Sequence, residues 1–275
     1  MKSPPIALWI WYRGDAFCGF QGQRSLHTVQ GSLQQALYKI GVISAPVGAG
    51  RTDRGVHARM QVVRVRAARG SAADLVAKLT SHLPSGLGVC VARAVPRPFH
   101  PQWSSTAKEY RYRLSLSRAR PEWRSFAWSP REDPRIGDRA VRPEKLSELL
   151  ALATGTRDFI AFHEKSSARR ARTLHRAELV EASDGSLEIR LRGDAFGRYQ
   201  ARYLVGSAVA AAAGIVAREQ YLAGLEQGIA FHGVKAPPQG LILWEIAYPA
   251  PIDPFAPQER HEAPNLPREP PFAER

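Results

Sequence analysis

The chain has 275 residues, 44% of them hydrophobic, which is enough for one large domain or two ordinary domains with a sizeable core. The 39 lysines and arginines outnumber the 25 aspartates and glutamates, and the resulting net charge of +14 predicts a polyanionic partner. Only two cysteines are present, and the apolar run at 6–11 is short, which argues against a disulfide framework, a zinc site, a signal peptide and a membrane span. We therefore expect a cytoplasmic protein.

The first part of the chain alternates strands and helices. β-branched and aromatic residues predict a strand over 6–12, and apolar residues at helical spacing after Thr28 predict a helix that ends at Gly41. A glycine-rich loop follows, and then a strand over 60–65, an amphipathic helix over 72–83 and a strand over 89–95. This order predicts an α+β half over 1–98.

The second half, predicted over 99–250, opens with a strand over 108–114 on which aromatic and basic residues alternate. Tyr110 and Tyr112 share one face and Arg111 and Arg113 the other. The pattern fits stacking on bases beside phosphate contacts, and it equally fits a half-buried strand with aromatic residues inside and arginine in water.

Further along, the patterns predict a helix over 144–153, a hairpin of strands at 177–180 and 187–191, an alanine-rich buried helix over 195–218 and a last strand over 241–248. Basic residues crowd 164–176, including Arg169, Arg170 and Arg172, which is a phosphate-binding arm or a solvated charged loop. Seven of the last 25 residues are proline, so 251–275 is predicted to be disordered.

The segment 48–58 places one carboxylate, Asp53, among three glycines and two alanines, with Arg51 and Arg54 beside it. Glycines let a ligand approach the backbone closely, and neighbouring cations keep a carboxylate ionised, so Asp53 is a candidate nucleophile or general base. The pattern also fits a surface turn in which the aspartate hydrogen-bonds its own backbone.

Six separated motifs, in order, resemble those of the TruA-type tRNA pseudouridine synthases. They are Gly50-Arg51-Thr52-Asp53 with Gly55-Val56-His57-Ala58, Thr28-Val29-Gln30 with Leu33, Phe99-His100 with Tyr110-Arg111-Tyr112, Gly155 with Asp158-Phe159, Ala195-Phe196 with Arg202, and Gly240-Leu241 with Tyr248-Pro249. The resemblance spans residues 6 to 249.

The resemblance implies that Asp53 is the catalytic nucleophile or base that isomerises uridine in the tRNA anticodon arm. Tyr110 would stack on the flipped uracil, Arg202 would pair with Asp53, Leu241 would pack against the base and Arg51 would hold the nucleotide. It further implies a homodimer without metal or organic cofactor. The implied fold is α+β, with two similar halves of antiparallel sheets flanked by helices and the active-site cleft between them.

The sequence departs from the family pattern at Arg54, at Arg13 and at Arg198-Tyr199-Gln200. Extrusion of a base into a pocket needs groups that offset its cost, so the possible RNA contacts are Arg54, His57, Arg111, Arg169, Arg170, Arg172 and Arg198. The departures keep a catalytically inactive RNA-binding protein open as the alternative. A hydrolase would need a second carboxylate, for which Asp15, Asp158 and Asp194 are candidates that no spacing marks.

Overall fold

The computed structural model describes residues 4–66, 71–116, 121–164, 171–182 and 186–273. In chain order the strands and α-helices are β1 (Ile6–Tyr12), α1 (Val29–Lys39), β2 (Val47–Gly48), β3 (His57–Val65), α2 (Ala72–Thr80), β4 (Leu87–Ala94), β5 (Ala107–Leu114), α3 (Pro143–Leu152), β6 (Gly155–Arg157), β7 (Arg172–Glu181), β8 (Leu187–Gly193), α4 (Gln200–Ala212), α5 (Arg218–Glu226), β9 (Leu241–Ala247) and α6 (Pro257–His261). The fold is α+β, as predicted. Among the described residues, no helix is long and apolar enough to cross a membrane.

The chain divides into two compact units. The first comprises 1–106 and 243–274, and the second comprises 107–242. The boundary between the units lies after residue 106, about eight residues beyond the predicted division at 98/99, and residues 243–247 of β9 belong to the first unit. The two similar halves and the cleft between them stay a prediction.

The first unit is built on β1, whose seven residues are apolar and almost all buried. β1 pairs antiparallel with β3 on one side, Leu8 opposite Val63, and with β4 on the other, Leu8 opposite Ala92. The strand order in this unit is β4-β1-β3-β9, with β2 paired to β3. A central position with neighbours on both edges explains why β1 reads as a continuous hydrophobic run.

Helix α1 forms as its sequence predicts. The Thr28 hydroxyl accepts a hydrogen bond from Gly31 N at 3.2 Å, which caps the helix. Its apolar stripe of Val29, Leu33, Ala36 and Leu37 is buried. Gly41, with φ of +79°, lets the chain leave the helix in a conformation that other residues resist.

The second unit contains the antiparallel strand order β5-β8-β7-β6, with Tyr110 of β5 opposite Leu191 of β8. The predicted single helix over 195–218 is wrong. α4 covers only Gln200–Ala212, because Gly214 takes φ of +72°, and a separate helix, α5, starts at Arg218. A left-handed glycine ends a helix in a way that alanine content alone does not reveal.

The predicted disorder of 251–275 is also wrong for the described residues up to 273. Phe255 packs edge-on against Trp9, and Phe272 packs against Trp11, each at 5.7 Å between ring centroids. Arg260 is held by Glu245 at 2.9 Å and Asp253 at 2.7 Å. Two buried aromatic anchors and an ion-paired arginine fix a segment whose proline content suggested disorder.

Candidate active site

The segment 48–56 forms a tight turn at its end. Val56 N donates to the carbonyl of Asp53 at 3.1 Å, which closes a four-residue turn with Arg54 and Gly55 in the middle. Gly55 has φ of +83°, the conformation that the third residue of such a turn needs and that glycine adopts without strain. Asp53 therefore occupies the first position of a defined turn, and its side chain is partly exposed.

Backbone hydrogen bonds fix the segment before Asp53 on both sides. Ala49 N donates to Val62 O of β3 at 2.8 Å, and Phe20 N donates to Thr52 O at 3.0 Å. Gly48 is needed here because a Cβ at this position would lie 2.4 Å from the ring of Phe20. The carboxylate is thus carried on a backbone whose path is fixed by β3 and by the loop after β1.

A buried polar network supports the loop from below. The hydroxyls of Tyr12 and Thr52 are hydrogen-bonded at 2.8 Å. The side chain of Gln61 donates to Gly50 O at 2.8 Å and accepts from Ala49 N at 3.2 Å. Burial raises the pKa of Tyr12 far above its ordinary value and the charge of Asp53 raises it further, so this phenol stays protonated.

Gly14, just after β1, lies directly under the turn. Gly55 N donates to Gly14 O at 3.2 Å, and Gly14 N donates to Nδ1 of His57 at 2.9 Å. A Cβ on Gly14 would lie 2.3 Å from Val56 O, so only glycine fits. The His57 side chain is fully buried, which corrects its prediction as an RNA contact: in this structure it holds the turn.

Arg13 and Asp15 form an ion pair beside this turn, with Nη2 and Oδ2 separated by 2.7 Å. Burial opposes ionisation of Asp15, but the hydrogen bond and the charge of Arg13 lower its pKa overall. Asp15 is therefore an ionised carboxylate close to the Asp53 loop. Arg51 and Arg54 are exposed, as a contact to RNA requires.

Three of the predicted site residues, Tyr110, Arg202 and Leu241, belong to the second unit, whereas Asp53 and Arg51 belong to the first. Tyr110 packs edge-on against Phe196 at 4.9 Å and is 8% exposed. On the same face of β5, the Tyr112 hydroxyl donates to Pro237 O at 2.8 Å. A Cβ on Gly240 would lie 2.8 Å from the ring of Tyr112. Because glycine has no Cβ, the backbone at Gly240 can pass close to this face of β5, and Leu241 follows directly.

Arg202 is a buried cation of the same region. Its Nε donates to Ala236 O at 2.8 Å, and Ala236 N donates back to Arg202 O at 3.0 Å. Burial raises the pKa of Tyr112 well above its ordinary value, and the positive charge of Arg202 opposes that rise. The structure therefore brings together Arg202, the aromatic face of β5 and the chain leading to Leu241 within the second unit.

The remaining predicted contacts differ in how accessible they are. Arg198 is exposed. Arg111 lies on the face of β5 opposite Tyr110, where it pairs with Glu109 at 3.0 Å and Glu188 at 3.3 Å. Arg172 is 4% exposed, which does not fit a direct phosphate contact. Arg169 and Arg170 lie outside the described residues.

Several supporting residues were not predicted from the sequence, above all Tyr12, Gln61 and Gly14. One signal was available for Gln61, which stands alone as an uncharged polar residue within the apolar run of β3 and is fully buried. A buried amide inside a strand must be hydrogen-bonded, and so marks a network. Among the described residues, no group of three or more His, Cys, Asp or Glu could hold a metal ion.

Comparison with known proteins identifies the family. The family model for tRNA pseudouridine synthase matches residues 143–249. Proteins named tRNA pseudouridine synthase A are 31% identical in Thermosipho africanus, 33% in Chlamydia pneumoniae and 34% in Thermus thermophilus. The alignments cover 86%, 91% and 86% of this chain and 96%, 94% and 94% of those proteins. The chain belongs to the tRNA pseudouridine synthase A family.

Membership in this family makes the chain an isomerase of the pseudouridine synthase class. The alignments cover most of this chain and nearly the whole length of the pseudouridine synthases that it matches. One chain of a solved Cbf5-Nop10-Gar1 complex aligns with 86% of this chain and with 48% of its own length. The two are 13% identical, and the TM-score of 0.34 indicates only a weak structural likeness.

Proposed function

We propose that this pseudouridine synthase isomerises uridine to pseudouridine in the anticodon arm of tRNA, with Asp53 as the nucleophile or the general base. The observation that carries the proposal is the Asp53 turn. It presents one partly exposed carboxylate on a backbone held by the buried hydrogen bonds of Tyr12 and Gln61. A reacting group must be held closely in place to be efficient, and this loop is so held.

The reaction needs a carboxylate and no redox partner. The C1′–N1 bond of uridine breaks, the base turns, a C1′–C5 bond forms, C5 loses a proton and N1 gains one, so composition is unchanged. Asp53 would either attack the nucleotide or withdraw a proton from the ribose. Both roles require the ionised form, which Arg51 and Arg54 on either side favour.

The second unit would supply the groups that hold the extruded nucleotide. Tyr110 would stack on the uracil, Leu241 would pack against it, and Arg202 would pair with Asp53. Extrusion of a base costs a few kcal/mol, which stacking on an aromatic ring and phosphate contacts offset. The exposed Arg51, Arg54 and Arg198 are suited to the phosphate contacts. We further propose that the active form is a homodimer in the cytoplasm and requires no cofactor.

Tritium release from tRNA labelled at uridine C5 tests the chemistry, because the proton at C5 is lost when pseudouridine forms. We expect Asp53→Ala and Asp53→Asn to abolish release and to keep the Kd for tRNA within a few fold. The matched control is Asp74→Asn, which changes an exposed carboxylate that caps α2 in the same unit. Wild-type protein that binds tRNA and never releases tritium would instead favour the inactive RNA-binding protein.

Mapping pseudouridine in tRNA from cells with and without this gene tests the target. We expect the loss of pseudouridine at defined uridines of the anticodon arm. Loss at positions elsewhere in tRNA, with the anticodon arm unchanged, would contradict the proposed target while leaving the proposed chemistry in place. Light scattering of the purified protein reads the oligomeric state, and a monomer would contradict the homodimer.

A further inference from the structure

The N-terminus of α4 carries a group of charged side chains around one aromatic ring, Tyr199. The cationic groups of Lys235, Arg198 and Arg202 lie 4.1, 4.9 and 5.3 Å from the ring centroid. The fifth member is Glu164, whose Oε1 lies 3.4 Å from Nζ of Lys235. We call Glu164, Arg198, Tyr199, Arg202 and Lys235 the Tyr199 cluster; it contains three cations and one carboxylate.

The ring explains how three cations are held together. The face of an aromatic ring is the negative end of its quadrupole and attracts cations within about 6 Å. The charges of Arg198 and Lys235 both lie within 5 Å of the same ring centroid. The distance between the two charges is therefore shorter than the Debye length of roughly 10 Å at 0.1 M salt, so they repel each other. Their repulsion is therefore offset by Tyr199 but still leaves a concentrated positive site.

The backbone holds Lys235 rigidly against α4. Ala236 and Arg202 exchange two hydrogen bonds, one through the arginine side chain. A Cβ on Gly206 would lie 2.0 Å from Val234 O, so the segment before Ala236 passes directly over the helix. The backbone at Lys235 is thus set by packing against the helix, and Nζ of Lys235 lies against the Tyr199 ring.

Exposure separates the members of the cluster. Arg202 is 8% exposed and serves the buried region below, whereas Arg198 is exposed and the Lys235 side chain is one-third exposed. The Arg198 guanidinium also donates to the Tyr199 hydroxyl at 3.1 Å. Two accessible cations beside a buried one match a phosphate group that is next to a bound nucleotide.

We propose that Arg198 and Lys235, placed by Tyr199, bind a backbone phosphate of the substrate RNA beside the modified uridine, and that Glu164 weakens this contact by competing for Lys235. The inference rests on the proposed function, since it takes the ligand to be the tRNA backbone. It adds three residues: Lys235 as a second cation on the phosphate, Tyr199 as a positioning residue and Glu164 as an opposing carboxylate. The cluster would thereby set how much of the affinity for RNA depends on salt.

Salt-dependent binding of full-length tRNA tests the contact. It is measured with the full chain carrying Asp53→Ala, so that no turnover occurs. Each phosphate contact contributes roughly 0.7 to 0.9 to the slope of log K against log salt. We expect Lys235→Ala and Tyr199→Leu each to reduce the magnitude of this slope by the value of about one phosphate contact, roughly 0.7 to 0.9. The control Arg218→Ala removes an exposed arginine paired with Glu148 and should leave the slope unchanged.

Glu164→Gln makes the test independent of folding defects, because it should strengthen binding at low salt, and misfolding cannot do that. In the catalytically competent chain, Lys235→Ala should raise KM several-fold and leave kcat near the wild-type value. Unchanged slopes and KM for Lys235→Ala and Tyr199→Leu would overturn the proposal, as would Glu164→Gln that binds no tighter.

The outcomes also separate this proposal from the proposed function. A wild-type chain that forms no pseudouridine contradicts the function, and the slopes would still support the cluster as an RNA-binding site. A wild-type chain that forms pseudouridine while the cluster variants behave like their parent refutes the cluster alone.

Discussion

The hydrogen bond between Tyr12 and Thr52 lies directly under the Asp53 turn and offers the sharpest test of how the site is held. The two hydroxyls are 2.8 Å apart, and the residues are 1% and 7% exposed. Water therefore cannot replace a lost partner. The change to make is Tyr12→Phe, Thr52→Val and the combination of both, since each removes one hydroxyl and preserves the shape of the side chain.

The expected magnitudes follow from burial. Either single change leaves one buried hydroxyl without this partner and costs about 1–3 kcal/mol in the free energy of unfolding. The double change removes both hydroxyls and should cost no more than one single change, so the coupling energy has a magnitude of about 1–3 kcal/mol. Gln61 keeps its bonds to Ala49 and Gly50 in all three variants, whereas its longer bond to the Tyr12 hydroxyl, at 3.5 Å, is lost in the two variants that carry Tyr12→Phe.

Urea unfolding followed by tryptophan fluorescence gives the stabilities, because Trp9 and Trp11 belong to the same unit as the pair. Tritium release gives kcat, which we expect to fall about tenfold in the single variants, since a small displacement of a catalytic group lowers the rate. Strictly additive losses of stability, or single changes that cost less than about 0.5 kcal/mol, would refute the reasoning.

Three further predictions concern the turn, the C-terminal segment and an acid-sensitive ion pair. Gly55→Ala should cost about 1–2 kcal/mol of stability and most of the activity, because alanine resists the φ of +83°; a variant as stable and active as wild type in urea unfolding and tritium release would contradict this. Removal of residues 254–275 should lower the free energy of unfolding in urea by at least about 3 kcal/mol and shift tryptophan emission to the red, since Phe255 and Phe272 no longer cover Trp9 and Trp11; an unshifted spectrum would argue that the segment is dispensable. The hydrogen bond from Arg135 lowers the pKa of Asp133; burial opposes this shift, and the charge of Arg135 and the hydrogen bond from Trp128 add to it. The ionised Asp133 therefore stabilises the folded protein above the pKa that Asp has in the unfolded chain, and this stabilisation is lost as the pH falls below about 4. Asp133→Asn should therefore be less stable than wild type at pH 7 and approach it below pH 4 in urea titrations, whereas a difference that stays constant with pH would contradict the assignment.

Local patterns predict the elements of this fold well where one face is buried. The alternation and the apolar runs give β1, α1 and β5 nearly to the residue, because burial imposes the period of the element. The predictions are wrong where one or two residues determine whether a segment continues a helix or packs against the fold. Gly214 divides the alanine-rich stretch into α4 and α5, and Phe255 and Phe272 fix a segment that proline alone suggests is disordered.

In the candidate site, too, one part could be predicted from local sequence patterns and another part could not. The Asp53 loop is visible in the sequence, because glycines and a flanked carboxylate form a compact pattern. The residues that hold it come from far away in the chain. Gly14 is some forty positions before His57, whose Nδ1 accepts its backbone hydrogen bond, and Gln61 faces the loop from β3. Contacts between residues so far apart in the sequence depend on strand pairing, which no local pattern encodes.

Net charge predicted a nucleic-acid partner but could not say which arginines face it. On the face of β5, β7 and β8 opposite Tyr110, Glu109 pairs with Arg111 and Arg176, and Glu188 pairs with Arg111 and Arg190. A buried carboxylate stripped of its cation is costly, so these arginines are largely committed to the fold.

The Tyr199 cluster has the opposite balance, with three cations to one carboxylate that is itself one-third exposed. An aromatic ring attracts cations without neutralising them, whereas a glutamate partner cancels their charge. In this cluster Arg198 is exposed and the Lys235 side chain is one-third exposed, whereas the Arg111 side chain is 15% exposed. For this reason we propose that the RNA backbone binds to Arg198 and Lys235 in preference to Arg111.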